Sequence, residues 1–352
     1  MSTTATKDLP PSDSERNAEI KQVITAAGNA LRARHRWLRH QDSIGAAVLL
    51  LALGGMGASA YAYLQWGWSA WLVIPLIAFF ASLTHELEHD LIHWMYFKRR
   101  PWAHHLMLAL CWLARPSTIN PWVRRELHFE HHKYSGGEQD REERGITNGE
   151  RWGLARLLML ADAGFSVWYR IRRVSDPATR RRLWKRALAI YFPLGWINWG
   201  LWYVFLFCHG LSALAALIGA PHQWPPAMLQ PLALLDILIV VWIGPNVLRS
   251  FCLHFVSSNM HYHGDVTPGD VIQQTQVLNP WWLLPFQAFC FNFGSTHAIH
   301  HFVVKEPFYI RQWTAPTAHR VMREMGVRFN DFGTFVRANR WSDPKRSAQS
   351  AA

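Results

Sequence analysis

Two long stretches of this 352-residue chain lack lysine and arginine altogether. They cover residues 42–97 and 187–248, although the chain has 36 lysine and arginine residues in total. Half of the residues are hydrophobic, and they include 20 Trp and 19 Phe. Stretches of this length without a basic residue are rare in soluble proteins, and a bilayer core about 30 Å thick needs only about 20 apolar residues per helix. Each stretch is therefore long enough for two transmembrane helices.

The sequence thus predicts an all-α membrane protein with four transmembrane helices in two hairpins. We place the helices near residues 43–64, 68–83, 187–207 and 232–251, with turns at Gly67 and in residues 210–226. Pro75, Pro193 and Pro245 fall inside these spans, which lipid-embedded helices tolerate when neighbouring helices satisfy the freed backbone groups. A soluble protein with two buried helical hairpins is the alternative.

Basic residues flank the apolar stretches on one side only. Four arginines precede the first span, and a basic cluster at residues 170–186 precedes the third. By the positive-inside rule, both termini and the long central segment are expected in the cytoplasm of the cell, at a bacterial inner membrane or its equivalent. Membrane topology and anionic lipid explain the net charge of +12, so nucleic acid is not expected as a partner.

Three regions follow from this pattern. Residues 1–40 are expected to be a polar and basic cytoplasmic segment, residues 41–312 the integral membrane domain, and residues 313–352 a cytoplasmic C-terminal segment. The first 20 or so residues are polar and show no signal peptide, which favours a disordered tail, and the last dozen are also expected to be disordered. The four cysteines form no C-x-x-C pair and are interpreted as reduced packing residues.

Histidine is abundant, with 19 residues, and it is concentrated in three boxes. The sequence HELEHDLIH at residues 85–93 begins with the H-E-x-x-H pattern of zinc metalloproteases. The sequences HFEHH at 128–132 and HAIHH at 297–301 share the spacing H-x-x-H-H. Chance does not explain two copies of this triplet in one chain of this composition.

The spacing of the boxes predicts convergent imidazoles. Residues at i, i+3 and i+4 share one face of a helix, so each box directs its histidines to one place. The candidate metal ligands are His85, His89, His128, His131, His132, His297, His300 and His301. Eight imidazoles exceed what a single tetrahedral or octahedral ion binds, so the pattern predicts two metal ions.

In this order, and around two hairpins, the boxes resemble those of the membrane-bound fatty acid desaturase and hydroxylase superfamily. The likeness covers residues 43–305. It implies a cytoplasmic helical cap with a non-haem di-iron centre, two Fe ions, and O2 as co-substrate against an unactivated C–H bond. The implied substrate is a fatty acid or fatty acyl lipid. Desaturation is the favoured reaction, while hydroxylation and oxidative decarboxylation of a free fatty acid to a terminal alkene remain open.

The resemblance also implies a ninth histidine ligand after the last span. Stearoyl-CoA desaturases have a similar segment that ends in histidine, and FVSSNMH here places His261 at that position. The family's asparagine, four residues earlier, is replaced by Ser257, and counting from Asn259 points to His263 instead. We favour His261 and keep His263 as the alternative.

Other polar residues near the boxes receive lesser roles. His93 is interpreted as a supporting or surface group and not as a ligand. Carboxylates commonly orient metal-bound imidazoles, and five acidic residues lie within or beside the boxes. They are Glu86, Glu88, Asp90, Glu126 and Glu130. Of these, Glu130 is the favoured candidate.

Electrons for such chemistry must come from another protein. The chain has no haem motif of a fused cytochrome b5, no cysteine run for an iron–sulfur cluster and no G-x-G-x-x-G sequence. An external donor of the ferredoxin, flavodoxin or cytochrome b5 type with its reductase is therefore expected. A basic cytoplasmic surface suits an acidic ferredoxin or flavodoxin.

Two alternatives belong to other functional classes. An intramembrane zinc protease would use His85 and His89 as ligands and Glu86 as base, but it leaves both H-x-x-H-H boxes without a role. A metal transporter would need a polar path across the bilayer, and the spans contain little besides Asp236 to form one.

Overall fold

A computed structural model describes residues 12–342 of the chain, and these residues fold almost entirely as helices. The helices are α1 Asp13–Arg34, α2 Gln41–Trp66, α3 Ala70–Ile92, α4 Pro101–Ala114, α5 Pro121–Tyr134, α6 Arg141–Arg144, α7 Leu154–Ala161, α8 Ala163–Ile171, α9 Pro177–Tyr191, α10 Leu194–Leu217, α11 Pro226–Leu238, α12 Gly244–Met260, α13 Val271–Gln274, α14 Leu284–Ala288, α15 Phe293–Phe302 and α16 Phe308–Glu324. Within the described range the extended pairing is limited to two isolated bridges, His261 with Thr275 and Val277 with Phe329.

Four helical segments are long and apolar enough to cross a membrane. They are α2, α3, α10 and the continuous segment Pro226–Met260, in which a π-helical turn, Ile239–Ile243, joins α11 to α12. The predicted number of spans is therefore confirmed. Gly67 ends α2 with φ +67°, a left-handed conformation that favours glycine, and a three-residue connection leads to α3.

The third span lies further along the chain than the sequence suggested. The prediction at residues 187–207 was wrong at its start, because Ala187 belongs to α9 and the membrane-length helix α10 begins only at Leu194. Pro193 lies between these two helices and not inside a span. Most side chains of α10 are exposed, which is expected of a helix that faces lipid.

The segments that follow the apolar helices pack against the ends of α3 and α12. Helices α4 and α5 contact α3, and α7 contacts α12. After α12, a buried apolar cluster joins α12, α15 and α16, with Val256, Ile299 and Met322 at its centre. This packing fixes the C-terminal end of α12 and the whole of α15, the two elements that carry the later histidines.

The N-terminal region is more ordered than expected. Helix α1 begins after Ser12 in a capping box with Glu15, and it packs along α16. Arg32 on α1 forms a salt bridge with Glu306 at 2.5 Å. The tail predicted to be disordered over about 20 residues is thus helical from Asp13. The rest of that tail, and nearly all of the C-terminal dozen, lies outside the described residues.

Candidate metal centre

Four helices bring the histidine boxes together. The first box lies at the C-terminal end of α3, the second on α5 and the third on α15, while His261 directly follows α12. Asn120 caps α5 and Pro121 occupies its first turn, so the sequence itself defines where the helix that carries the second box begins. Most of the box histidines are buried, as expected for a site assembled between packed helices, while His93 and His132 are partly exposed.

One group of imidazoles consists of His89, His93, His128 and His300, whose potential ligand atoms all lie within 4.8 Å of one another. The Nε2 atoms of His93 and His128 are 3.0 Å apart. His132 adjoins this group, because its Nε2 lies 3.0 Å from that of His128 and 2.9 Å from that of His300. Five imidazoles therefore converge at this point.

A second group consists of His131, His261, His297 and His301, also within 4.8 Å. The Nε2 atom of His297 lies 3.2 Å from that of His261 and 3.3 Å from that of His301. The two groups adjoin, since the rings of His132 and His301 have centroids 5.1 Å apart. Nine histidines thus form one continuous cluster with two centres.

These spacings fit two bound metal ions. Nitrogen ligands at about 2.1 Å from a metal lie about 3.0 Å apart at right angles and about 3.4 Å apart in a tetrahedron. The observed Nε2 separations fall between 2.9 and 3.3 Å. In addition, both ring nitrogens of His89 are buried and have no hydrogen-bond partner, and a coordinated ion would satisfy one of them.

The structure brings together eight of the nine histidines expected as ligands, together with one that was not. His93 was interpreted as a supporting or surface group, yet it lies inside the first group. His85 was expected there but lies one helical turn earlier, outside both groups, with its Nδ1 3.4 Å from the Arg115 guanidinium. The sequence HELEHDLIH contains H-x-x-x-H twice, and the second copy, His89 with His93, is the one that faces the other boxes. His263, the alternative to His261, is also outside both groups.

The carboxylates that orient the imidazoles come from a segment that the sequence analysis missed. His128 Nδ1 lies 2.6 Å from Glu142, and His131 Nδ1 lies 2.9 Å from Asp140. His261 Nδ1 lies 3.0 Å from the backbone oxygen of Ser257, whose hydroxyl donates to Glu143 at 2.6 Å. Carboxylates at the second ring nitrogen fix the tautomer and the orientation of a metal-binding imidazole. The sequence DREE at 140–143, shortly after the second box, was the available signal.

The acidic residues within the first box face arginines and not imidazoles. Glu88 forms buried ion pairs with Arg115 and Arg124, and Asp90 forms one with Arg311. Glu86 also faces Arg311, at 3.5 Å.

The prediction that Glu130 would orient an imidazole was wrong. Its carboxylate lies near the surface, 3.7 Å from Arg141.

Burial favours the neutral imidazoles that bind metals. It lowers the pKa of His93 to about 2, and it lowers the pKa of His297, His300 and His301 well below the usual value. His131 differs because, although burial lowers its pKa, the carboxylates of Asp140, Glu142 and Glu143 together outweigh burial and raise the pKa to about 9. The same pairing holds the pKa of Asp140 below its ordinary value despite burial, so this carboxylate stays ionised.

A cavity of about 740 Å³ opens beside both histidine groups. His89 and His297 contribute to its wall, and so do Val167, Ile171 and Ala187 from the helices α8 and α9. Its volume is within the range of pockets that hold small apolar ligands. The cavity thus joins an apolar surface to the imidazole cluster.

Taken together, the four membrane-length helices and the buried imidazoles define a helical membrane protein with a histidine site able to hold metal. Residues 66–333 match the family model described as fatty acid desaturase, which is more than half of the chain. The chain belongs to the fatty acid desaturase family. No curated protein gives a significant match.

Proposed function

We propose that this protein is an O2-dependent integral membrane oxidase with two iron ions, acting on the alkyl chain of a fatty acid or fatty acyl lipid, and that the usual product is a double bond. The observation that carries the proposal is the pair of adjacent histidine groups that open onto a cavity with a partly apolar wall. When bound, the irons would supply the O2-derived oxidant needed to remove hydrogen from an unactivated carbon.

The protein's own residues would hold the ions, orient the imidazoles and shield the site from water. His89, His93, His128, His132 and His300 would bind one ion, and His131, His261, His297 and His301 the other. Asp140, Glu142 and the backbone oxygen of Ser257 would keep His131, His128 and His261 in the tautomer that presents Nε2 to the metal. The apolar wall of α8 and α9 would exclude water and hold the substrate chain against the site.

The membrane topology remains part of the proposal. Basic residues flank the apolar helices on one side, so the histidine site and both termini would lie in the cytoplasm, in a cap formed between two transmembrane hairpins. An external redox protein would then deliver electrons from the cytoplasm, either a ferredoxin or flavodoxin or a cytochrome b5 with its reductase. Exposed arginines at the start of α9 offer a basic surface for an acidic donor.

Two rival functions fit the geometry less well. A zinc protease would need Glu86 as a base beside its metal, whereas this carboxylate is buried against Arg311. A transporter would need polar groups across the membrane. Asp236 is the acidic residue in α11, and it is partly exposed and pairs with His209 at 2.7 Å.

The test is mass spectrometry of lipids and headspace volatiles from a heterologous host with and without the gene. We expect new unsaturated chains that disappear with His300→Ala. A hydroxylated chain would show that the reaction is hydroxylation. A terminal alkene one carbon shorter than its fatty acid would show that it is oxidative decarboxylation. An unchanged lipid profile from iron-loaded protein with an active electron donor would contradict the proposal.

A further inference from the structure

Arg249, in the wall of the cavity beside the histidine cluster, has no carboxylate partner within residues 12–342. It lies on α12 and is 1 % exposed. Its Nε donates to Asn246 at 3.3 Å and its Nη2 donates to Ser250 at 3.0 Å. Its Nη1 is buried without any hydrogen-bond partner. A buried guanidinium with unused donors strongly favours an anion.

The other fully buried arginines each bond an oxygen acceptor through a terminal nitrogen, although their Nε atoms are buried without a partner. Arg115 is paired with Glu88, and Arg311 with Asp90. Arg156 donates to the backbone oxygens of Glu150 and Ser258 and to nearby side-chain oxygens. In the described part of the chain, Arg249 is the member of this set with a buried terminal nitrogen that lacks a partner, and it pairs with no carboxylate.

Two carboxylates pair with the arginines next to Arg249, and neither of them pairs with Arg249 itself. The guanidinium groups of Arg115, Arg124 and Arg249 interact with one another. Glu88 is shared by the first two, and Glu142 pairs with Arg124. Within this group of three guanidinium groups and two carboxylates, Arg249 is therefore the arginine left without a carboxylate contact.

The surroundings of Arg249 indicate which anion fits. Ser117 and Ser250 also line the cavity, with their hydroxyl oxygens 3.0 Å apart, and add neutral hydrogen-bonding groups. Leu253 and Phe293 continue the wall with apolar surface. A ligand with one anionic end and an apolar body matches both parts.

We propose that Arg249, with Ser117 and Ser250, binds the carboxylate of a non-esterified fatty acid. This inference rests on the proposed function and names the form of its substrate. An ester or thioester would place a neutral carbonyl against the unpaired guanidinium, so it would be bound less tightly. A carboxylate held at one point also fixes the position of oxidation by distance from the carboxyl end.

The binding test uses iron-loaded protein in lipid nanodiscs without O2, with hexadecanoate and methyl hexadecanoate as probes. Wild-type protein should bind the acid more tightly than the ester. Loss of a hydrogen-bonded charge should weaken binding of hexadecanoate to Arg249→Gln roughly 10- to 100-fold and leave the ester nearly unaffected. Arg249→Lys should recover part of the affinity. Arg320→Gln, which changes an exposed arginine on α16, serves as the matched control and should bind like the wild type.

The Lys variant keeps the test valid if Arg249→Gln does not fold, because it retains the buried charge and loses only the forked geometry. Equal binding of acid and ester by the wild type would overturn the proposal. So would unchanged binding of the acid by a folded Arg249→Gln.

A turnover experiment adds an independent readout. With tetradecanoate, hexadecanoate and octadecanoate, the oxidised carbon should keep the same number counted from the carboxyl end. A position constant from the methyl end, or a requirement for the acyl-CoA, would overturn the carboxylate site. Failure of the proposed function looks different, because the protein would then contain no iron and oxidise none of these acids, whatever its affinity for hexadecanoate.

Discussion

Asp140→Asn is the sharpest test of how this protein holds its histidines. One carboxylate oxygen of Asp140 accepts hydrogen bonds from His131 Nδ1 at 2.9 Å and from the backbone N–H of Gly136 at 3.1 Å, and the other accepts from the N–H of Glu143 at 3.2 Å. The side chain is 1 % exposed. An asparagine fits the same space, but whichever way its amide turns, the NH2 group faces a backbone N–H and one hydrogen bond is lost.

The magnitude follows from the loss of charge. A hydrogen bond to a charged group contributes about 1.5–3 kcal/mol and a neutral one about 0.5–1.5 kcal/mol. The difference of roughly 1–2 kcal/mol corresponds to roughly a 5- to 30-fold weaker metal affinity. Loss of such an orienting group typically costs about 10- to 100-fold, so a loss of about 10- to 30-fold satisfies both.

The assay measures iron retained by the purified protein during dialysis against increasing chelator. Glu130→Gln is the matched control, because Glu130 is a neighbour of His131 in sequence but forms only a surface contact with Arg141. Such pairs contribute little, so this variant should retain iron like the wild type. Equal retention by Asp140→Asn and the wild type, or equal loss by both variants, would refute the orienting role of Asp140.

Three further predictions concern the surrounding structure. Gly294→Ala would place a Cβ atom 2.2 Å from the Leu278 carbonyl oxygen, so thermal unfolding should show a stability lower by about 1–3 kcal/mol. Gly57→Ala is the control and should not destabilise the protein, because the added Cβ would have no atom within 4 Å. Arg311→Met leaves buried carboxylates unpaired and should cost about 3–5 kcal/mol in the same measurement, and unchanged stability would contradict the ion-pair assignment. Glu86→Gln should keep the iron content measured by elemental analysis, and loss of the metal would show that Glu86 supports the site.

The sequence predicted the number of membrane-length helices because a bilayer imposes a length and excludes charge. Gly67 also marked its turn correctly, since few other residues adopt positive φ there. The start of α10 was missed because residues 187–193 are apolar like a span, yet the amphipathic helix α9 continues through Tyr191 and ends just before Pro193. Composition alone does not separate the end of an amphipathic helix from the start of an apolar one.

The histidine site was likewise predicted only in part. Helical spacing correctly predicted that the second and third boxes face the site, because i, i+3 and i+4 share a face whatever the tertiary structure. It did not show that each box is divided between the two groups, with His128 and His300 in one and His131, His297 and His301 in the other. In the first box, two H-x-x-x-H pairs overlap, and the choice between His85 and His93 depends on where α5 and α15 meet α3. Asp140 and its neighbours could not be assigned from spacing, because a turn brings them back to the histidines of α5.

The most direct test of the two-centre account is the metal content of the purified protein. We expect about two irons per chain in the wild type, a loss of about one in His93→Ala, and no loss in His85→Ala, because the structure places His93 inside the first group and His85 outside both. A protein that holds one zinc and no iron, or that loses its metal with His85→Ala while His93→Ala keeps it, would contradict the account.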